Sequence, residues 1–272
     1  MDPRLQRRIQ RYGWDLASGE YEPLWKSQVA QAQARMLACA ALAPGEHVLD
    51  VACGTGLVSF AAAAAVGHWG RVVGTDLSGL MVESARRRAD VRKVPTASFE
   101  RMDAERLDLA DASFDVVLCG LGLMYMPDPE KALREMHRVL RPRGRVVLAV
   151  WGQRSHCGWS ALFPIVDAEV ESEVCPLFFR LGEEDVLARL CAGAGLEVLE
   201  QHRIATMLEY PSGEQACRAA FVGGPVALAW SRFEDDVRAR VRERYLEAIA
   251  PWRRGHGYRI PGEFVIVSAR RA

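Results

Sequence analysis

Three aspartates, each near the end of a predicted strand, are the residues whose types and spacing most directly indicate binding chemistry. Asp50 lies in the run His47–Val51, Asp76 lies twenty residues beyond Gly56, and Asp103 follows a third strand. In doubly wound folds, ligands bind where the carboxyl ends of parallel strands meet. No basic residue is found among the three acids in this pattern. The acids therefore predict a ligand that carries an amine and hydroxyl groups but no phosphate.

Each acid has its own expected partner. An extra carboxylate at Asp50 would repel a pyrophosphate and attract an ammonium group. An acid at the spacing of Asp76 accepts hydrogen bonds from ribose hydroxyls. Asp103 is suited to accept from an exocyclic amine such as that of adenine, with Asp108 and Asp111 as nearby alternatives for the same role.

A glycine turn joins the first strand to a helix. Gly54 and Gly56 allow the backbone to approach a ligand closely, and the start of the helix offers unpaired N–H groups. A dinucleotide site of the G-x-G-x-x-G type would have a third glycine where this chain has Ser59. The turn and Asp50 together argue against a nicotinamide dinucleotide.

Residues from about Ala43 to Gly152 resemble the class I S-adenosylmethionine-dependent methyltransferase family. The resemblance rests on the glycine loop and its acids, on Phe114–Cys119 and on the segment Leu133–Gly144. Within the family, the chain is most similar to the branch of ubiquinone and menaquinone biosynthesis C-methyltransferases. Two residues depart from the family pattern: Ala52 replaces the first glycine of the loop, and Arg143 interrupts a usual Pro-Gly-Gly turn.

The resemblance implies S-adenosylmethionine as cofactor and no metal. For Met81 core packing is an equal alternative, and Cys119 is not expected to act as a nucleophile because methyl transfer needs no covalent enzyme intermediate. The residues expected to bind the cofactor are Asp50, Ala52, Cys53, Gly54, Thr55, Gly56, Asp76, Leu77, Met81, Asp103, Ala104 and Cys119.

The acceptor side is less defined by sequence. Tyr21, Trp25, Gly120 and Tyr125 are expected to face the acceptor substrate. A general base is needed only if the acceptor must lose a proton early. The candidates for catalytic roles are Tyr125, His156 and His202, with His256 near the predicted cap as a further histidine.

Short Val-rich runs alternate with amphipathic segments between residues 47 and 151, which predicts an α/β fold. We expect a Rossmann-like, doubly wound sheet of seven mostly parallel strands, an antiparallel last strand and a helical cap. The predicted segments are an N-terminal cap (1–42), a cofactor-binding core (43–210) with a substrate-side insertion (152–180), a helical lid (211–260) and a final strand (261–272). This last strand is expected to join the sheet at its edge.

Composition excludes several classes of protein. Lys plus Arg (35) equal Asp plus Glu (35), the formal net charge is zero, and 50 % of residues are hydrophobic. A polybasic nucleic-acid binder and an acidic disordered chain both require a charge excess. The seven cysteines are odd in number and include no C-x-x-C pair, which favours a reducing compartment. With no secretory signal or membrane span recognised, a cytoplasmic location is expected.

The predicted function is in-line transfer of a methyl group from S-adenosylmethionine to oxygen, carbon or nitrogen of a small-molecule acceptor. Alignment and water exclusion can supply much of the acceleration. The alternatives are a protein or nucleic-acid methyltransferase and a nicotinamide-dependent oxidoreductase. No nucleic-acid partner is expected, and the sequence does not indicate an oligomeric state.

Overall fold

The computed structural model describes residues 2–170 and 178–272 of the 272-residue chain. Cys175 and part of the predicted insertion 152–180 therefore lie outside the described residues. The helices are α1 (Pro3–Ala17), α2 (Tyr21–Ala40), α3 (Leu57–Val66), α4 (Gly79–Arg92), α5 (Pro129–Val139), α6 (Leu162–Asp167), α7 (Val186–Gly193), α8 (Gly213–Phe221), α9 (Ala227–Arg232) and α10 (Asp235–Ile249). The strands are β1 (His47–Val51), β2 (Arg71–Asp76), β3 (Ala97–Arg101), β4 (Phe114–Gly120), β5 (Leu140–Trp151), β6 (Leu196–Tyr210), β7 (Arg253–Arg254) and β8 (Gly257–Arg271).

One sheet organises the molecule, with strand order β3-β2-β1-β4-β5-β8-β6. The pairs from β3 to β5 are parallel, whereas β8 runs antiparallel to both β5 and β6. The two-residue β7 pairs with the start of β8. This order confirms the predicted Rossmann-like α/β class, with its mostly parallel sheet and antiparallel last strand.

The expected position of the last strand is wrong. β8 lies inside the sheet, and β6 occupies the edge. The two strands pair along their whole length, from Leu196 opposite Arg271 to Tyr210 opposite Tyr258. The length of β6 explains the error, since this strand runs from Leu196 to Tyr210 as an alternation of exposed and less exposed residues. Such a half-exposed strand lacks the continuous apolar run of a buried parallel strand.

The helices α4 and α5 begin with local side-chain caps. Ser78 Oγ accepts a hydrogen bond from the Met81 amide at 3.1 Å and starts α4. An Asp128 carboxylate oxygen accepts from the Lys131 amide at 2.9 Å, with Pro129 as the first residue of α5. Both caps satisfy amide groups that have no partner within their own helix.

The helix α1 crosses above the carboxyl ends of the first strands. Asp15 fixes its C-terminal half, because Asp15 Oδ1 accepts hydrogen bonds from Ser78 Oγ at 2.6 Å and from the Leu80 amide at 3.1 Å. Among the described residues, no helix is both long enough and apolar enough to cross a membrane.

Candidate functional site

The loop between β1 and α3 has a left-handed backbone at three positions. The φ angles are 56° at Ala52, 55° at Gly54 and 87° at Gly56. Glycine adopts this conformation without strain, whereas alanine does not. A Cβ placed on Gly122 would overlap the Ala52 side chain. The methyl group of Ala52 therefore occupies space that Gly122 leaves open.

The Asp76 carboxylate is fixed by this loop and by the start of α4. Its Oδ2 accepts a hydrogen bond from the Gly54 amide at 2.8 Å, and its Oδ1 accepts from the Ser78 amide at 2.9 Å. Burial raises the pKa of Asp76 to about 6, although these hydrogen bonds act in the opposite direction. A carboxylate held in this way is ionised at neutral pH and oriented for a ligand.

Asp50 lies behind the loop, with a relative exposure of 1 %. Its Oδ2 accepts a hydrogen bond from Ser59 Oγ at 2.5 Å. Burial raises the pKa of Asp50 to about 7, and the charge of Asp76 acts in the same direction. Asp50 does not line the cavity that lies between α1 and the strand ends.

Asp103 has a basic partner that the sequence analysis did not find. The Arg7 side chain on α1 lies with its Nε 3.0 Å from Asp103 Oδ2, and it also contacts the buried carboxylate of Glu105. The other Asp103 oxygen accepts from the Glu105 amide at 2.9 Å. The expectation of three acids without a basic residue is therefore wrong, because α1 folds back over the third strand end.

A cavity with an empty volume of about 790 Å³, including its open mouth, lies between α1 and the strand ends. We call it the acidic cavity, and its lining residues are Arg7, Gln10, Trp14, Tyr21, Ala52, Gly54, Thr75, Asp76, Leu77, Met81, Met102, Asp103, Ala104, Glu105, Gly120, Leu121, Gly122, Tyr125, Met126 and Pro127.

Many of the sequence-predicted residues meet in the acidic cavity, and others lie behind its wall. Seven of the predicted cofactor residues line it: Ala52, Gly54, Asp76, Leu77, Met81, Asp103 and Ala104. So do the predicted acceptor-side residues Tyr21, Gly120 and Tyr125. The buried residues Asp50, Cys53, Thr55, Gly56 and Cys119 do not line it.

A second cavity, with an empty volume of about 530 Å³, adjoins the first. Trp14, Tyr21, Leu121 and Tyr125 line both cavities. We call the second one the aromatic chamber, and it is lined by Trp14, Tyr21, Trp25, Val29, Leu121, Tyr125, Trp151, Trp159, Leu162, Phe178, Tyr210, Ala220, Gly224, Pro225 and Tyr245. None of these lining residues carries a formal charge at neutral pH.

The hydroxyls of Tyr21, Tyr210 and Tyr245 remain protonated at neutral pH. Burial raises the pKa of Tyr21 to about 12, and the negative charges of Asp76 and Asp50 add to the effect. Burial also raises the pKa of Tyr210 and of Tyr245. These side chains can therefore donate hydrogen bonds, but they are poor bases.

The predicted catalytic histidines lie elsewhere. His156 follows β5, and its Nδ1 lies 3.0 Å from Glu263. His202 lies on the edge strand β6, where its Nε2 is 2.7 Å from Glu200. His256 is exposed near the β7–β8 turn. None of the three lines either cavity, so the structure does not bring them to Tyr125.

One group of side chains has the composition of a metal site. The ligand-type atoms of Cys39, Glu200 and His202 lie within 4.8 Å of one another. The Arg35 guanidinium already lies 2.9 Å from His202 Nδ1. The positive charge of Arg35 beside His202 disfavours a second cation at this cluster.

The residues that sequence reasoning missed come mainly from distant segments. Arg7 and Gln10 reach the acidic cavity from α1, and Trp151, Trp159 and Phe178 build the wall of the aromatic chamber. For these three aromatic residues, the available signal was the density of aromatic residues at the end of β5 and after it. Arg7 lies far from Asp103 in the sequence, so no local pattern predicted their contact.

The comparisons with known proteins agree with this geometry. Residues 49–148 match the family model described as a methyltransferase domain. The demethylmenaquinone methyltransferase of Lysinibacillus sphaericus is 38 % identical over 188 residues, which cover 69 % of this chain and 78 % of that protein. For the first curated relatives the overlap is smaller, since the chain spans only 44 % and 54 % of their lengths.

Solved structures share the fold at low sequence identity. The crystal structure of a candidate methyltransferase from Bacillus halodurans C-125 has a TM-score of 0.65 and 20 % identity, covering 88 % of this chain and 98 % of that one. The [4+2]-cyclase SpnF has a TM-score of 0.59, also with 20 % identity, and covers 91 % of this chain and 82 % of that one. The likeness to these two structures concerns the fold alone. The matching domain, the curated relative and the architecture of the site together show that the chain belongs to the S-adenosylmethionine-dependent methyltransferase family.

Proposed function

We propose that this chain transfers a methyl group from S-adenosylmethionine to oxygen, carbon or nitrogen of a small-molecule acceptor. The observation that carries the proposal is the pair of adjoining cavities. One is built around the Asp76 carboxylate, and the other is enclosed by aromatic side chains. Their shared wall of Tyr21, Leu121 and Tyr125 is the expected place for the reacting atoms.

The residues of the acidic cavity suit this cofactor. Asp76 offers an oriented carboxylate to a ribose diol, and Leu77 and Met81 offer apolar surface beside it. Around Gly54, the nearest atom to a position where a Cβ would lie is a Tyr21 ring carbon at 3.9 Å. A ligand can therefore lie close to the loop backbone. The Asp103 carboxylate already forms an ion pair with Arg7. An adenine amine would therefore approach a carboxylate whose charge is partly neutralised.

When bound, the sulfonium of the cofactor supplies an electrophilic methyl group. The residues of the chain align the two ligands and exclude water from the contact between them. The protonated hydroxyl of Tyr21, whose pKa is raised to about 12, can orient an acceptor but cannot remove a proton at neutral pH. Alignment and dehydration thus contribute the main acceleration.

The uncharged lining of the aromatic chamber favours a small acceptor over a nucleic acid. The lining residues come from α2, from around α6 and from near α8 and α10. A nucleic-acid substrate would require a basic surface at the acceptor side. The residues that line this chamber carry no positive charge.

The direct test is incubation of methyl-labelled S-adenosylmethionine and the purified protein with an extract of the source cell. We expect the label in a small organic molecule that separates from protein and RNA. A parallel incubation with the Asp76→Asn variant serves as the control and is expected to lose most of the labelling. Label found in protein or RNA instead would contradict the proposed acceptor class.

A further inference from the structure

The helix α1 buries polar side chains and exposes apolar ones. Its inner face holds Gln6 and Gln10, which are 5 % and 4 % exposed, and Arg7, which lines the acidic cavity. The outer face carries an apolar row at spacings of four, three and four residues, which places its members on one side of the helix. We call this row the outer stripe, and it consists of Leu5, Ile9, Tyr12 and Leu16.

The outer stripe is strongly exposed for the apolar face of a helix. Leu5, Tyr12 and Leu16 are 40 %, 46 % and 52 % exposed. Leu80, at 45 % exposure, extends this surface, since its amide donates a hydrogen bond to Asp15, the residue before Leu16. An amphipathic surface helix normally turns its apolar face towards the core. The reversed orientation of α1 therefore indicates that a partner outside the chain covers the outer stripe.

Arginines follow the outer stripe along one side. Arg4, Arg8 and Arg11 recur at spacings of four and three residues, so they form a row next to the apolar one. The Arg11 guanidinium lies over the Tyr12 ring, 5.4 Å from its centroid, and the other two side chains are exposed. Of the arginines on α1, only Arg7 forms an ion pair with a carboxylate among the described residues. The charge of this surface therefore calls for a negatively charged partner.

A second copy of this chain does not supply that charge through the same helix. Asp15 is the only carboxylate within α1, and its Oδ1 already accepts hydrogen bonds from Ser78 Oγ at 2.6 Å and from the Leu80 amide. Antiparallel pairing of two outer stripes would also bring the two arginine rows to the same side of the contact, where like charges repel. The charge pattern thus disfavours self-association through α1.

We propose that the outer stripe and its arginine row dock the protein on a membrane surface that contains anionic lipid. An interfacial helix lies in the plane of the bilayer surface, with apolar side chains in the acyl boundary and basic side chains at the phosphate groups. Tyr12 has an apolar ring and a polar hydroxyl, which suits this boundary. A convex helix needs no matching groove in such a partner. The proposal goes beyond the proposed methyl transfer and does not depend on it.

The first experiment measures binding of the full chain to vesicles by co-sedimentation. One set of vesicles contains phosphatidylcholine alone, and the other contains phosphatidylcholine and phosphatidylglycerol in a two-to-one ratio. We expect at least about tenfold tighter binding to the anionic vesicles, since each basic side chain near their surface adds to the attraction. Added salt should weaken this binding, because it screens the charges. Equal binding to both sets, or no binding to the anionic set, would overturn the proposal.

The second experiment separates the apolar contribution from the charged one. Leu5→Gln combined with Leu16→Gln keeps the charge of α1 and is expected to weaken binding to the anionic vesicles at least about fivefold. Arg4→Gln combined with Arg8→Gln keeps the outer stripe, and it should weaken binding by a similar factor and reduce the salt dependence. Leu199→Gln is the matched control, at a leucine of 50 % exposure on the edge strand β6. Equal binding by the double leucine variant and this control would overturn the proposal.

Two further measurements distinguish the membrane from other occupants. In sedimentation equilibrium, a dimer that dissociates in the double leucine variant would overturn the proposal in favour of a second copy. Soluble polyglutamate should bind more weakly than the anionic vesicles, and equal or tighter binding would overturn the proposal in favour of an acidic protein. Thermal unfolding of each variant reports whether it folds. If a variant does not fold, the comparison of the two vesicle sets on the unmodified protein still decides the inference.

Discussion

At the residue scale, the Asp76 carboxylate is held by two backbone N–H donors and faces the acidic cavity. Asp76→Asn keeps the shape of the side chain but removes its charge. We expect at least tenfold weaker binding of S-adenosylmethionine at pH 7.5, because hydrogen bonds to a charged acceptor contribute about 1.5–3 kcal/mol each. Calorimetry on the purified variant measures this change.

The pH dependence of the same binding provides a second readout. Since burial raises the pKa of Asp76 to about 6, the carboxylate becomes ionised as the pH rises through that value. Affinity for the cofactor should therefore increase between pH 5 and pH 7.5 in the unmodified protein and vary less in Asp76→Asn. Asp108→Asn, at an exposed aspartate that lines neither cavity, is the control. Unchanged affinity in Asp76→Asn would contradict the proposed ribose contact.

Ala52 and Gly122 form a second pair that is testable at this scale. A Cβ on Gly122 would overlap the Ala52 methyl group, so Gly122→Ala overpacks the loop. Overpacking of this kind costs about 1–3 kcal/mol in the free energy of unfolding. Ala52→Gly removes the obstructing methyl group and relieves the left-handed backbone at that residue.

The double variant separates steric overlap from other effects. We expect Ala52→Gly in the Gly122→Ala background to restore most of the lost stability, with a coupling energy of about 1 kcal/mol or more in a denaturant-unfolding cycle. Additive effects of the two substitutions would show that the two side-chain positions do not compete for space.

At the element scale, α1 joins the two ends of the acidic cavity. Near its C-terminus, Asp15 accepts hydrogen bonds from residues at the start of α4, and near its N-terminus Arg7 lies against Asp103 and Glu105. Arg7→Ala removes the basic partner of a buried glutamate. We expect faster dissociation of S-adenosylmethionine, by about tenfold, because the helix covers the cavity less firmly.

Stopped-flow displacement of the labelled cofactor measures this rate. Arg8→Ala is the matched control, since Arg8 is the next residue of the same helix and is exposed. Equal dissociation rates for the two variants would show that the Arg7 contacts do not hold α1 over the cavity.

The limits of sequence reasoning are also clearest at the element scale. The strands β1, β2 and β4 are short buried runs, and their apolar residues made them recognisable together with the acids at their ends. The edge strand β6 has polar residues on its exposed face, so its full length and its pairing with β8 were not visible. The contact of Arg7 with Asp103 depends on a chain reversal between distant segments, which local periodicity does not report. Local patterns also do not report which side chains meet in the fold, so His156, His202 and His256 were candidates as possible bases although none of them lines either cavity.

At the scale of the whole molecule, the formal net charge is zero, yet Asp76, Asp103 and Glu105 all line the acidic cavity. The charge of Asp76 raises the pKa of Asp50, the charge of Asp15 raises that of Asp76, and burial is the largest cause for both. A bound sulfonium would offset this negative charge. The protein without its cofactor is therefore expected to be destabilised as these carboxyl groups lose their protons.

Asp50 gives the last prediction, because its pKa of about 7 lies above the usual aspartate value of 3.8. A carboxyl group whose pKa is raised in the folded state holds its proton there after the unfolded chain has released it. Its contribution to stability is fully present below the unfolded pKa and is lost as the pH rises through the folded pKa. Asp50→Asn has no proton to lose. Relative to this variant, the unmodified protein should therefore lose on the order of 2–3 kcal/mol of unfolding free energy between pH 5 and pH 7.

Urea unfolding at several pH values measures the difference, with Asp108→Asn as the control. Saturating S-adenosylmethionine is expected to reduce the dependence of the unfolding free energy on pH. A difference between the two proteins that stays constant across this pH range would contradict the burial of an uncompensated carboxyl group at Asp50.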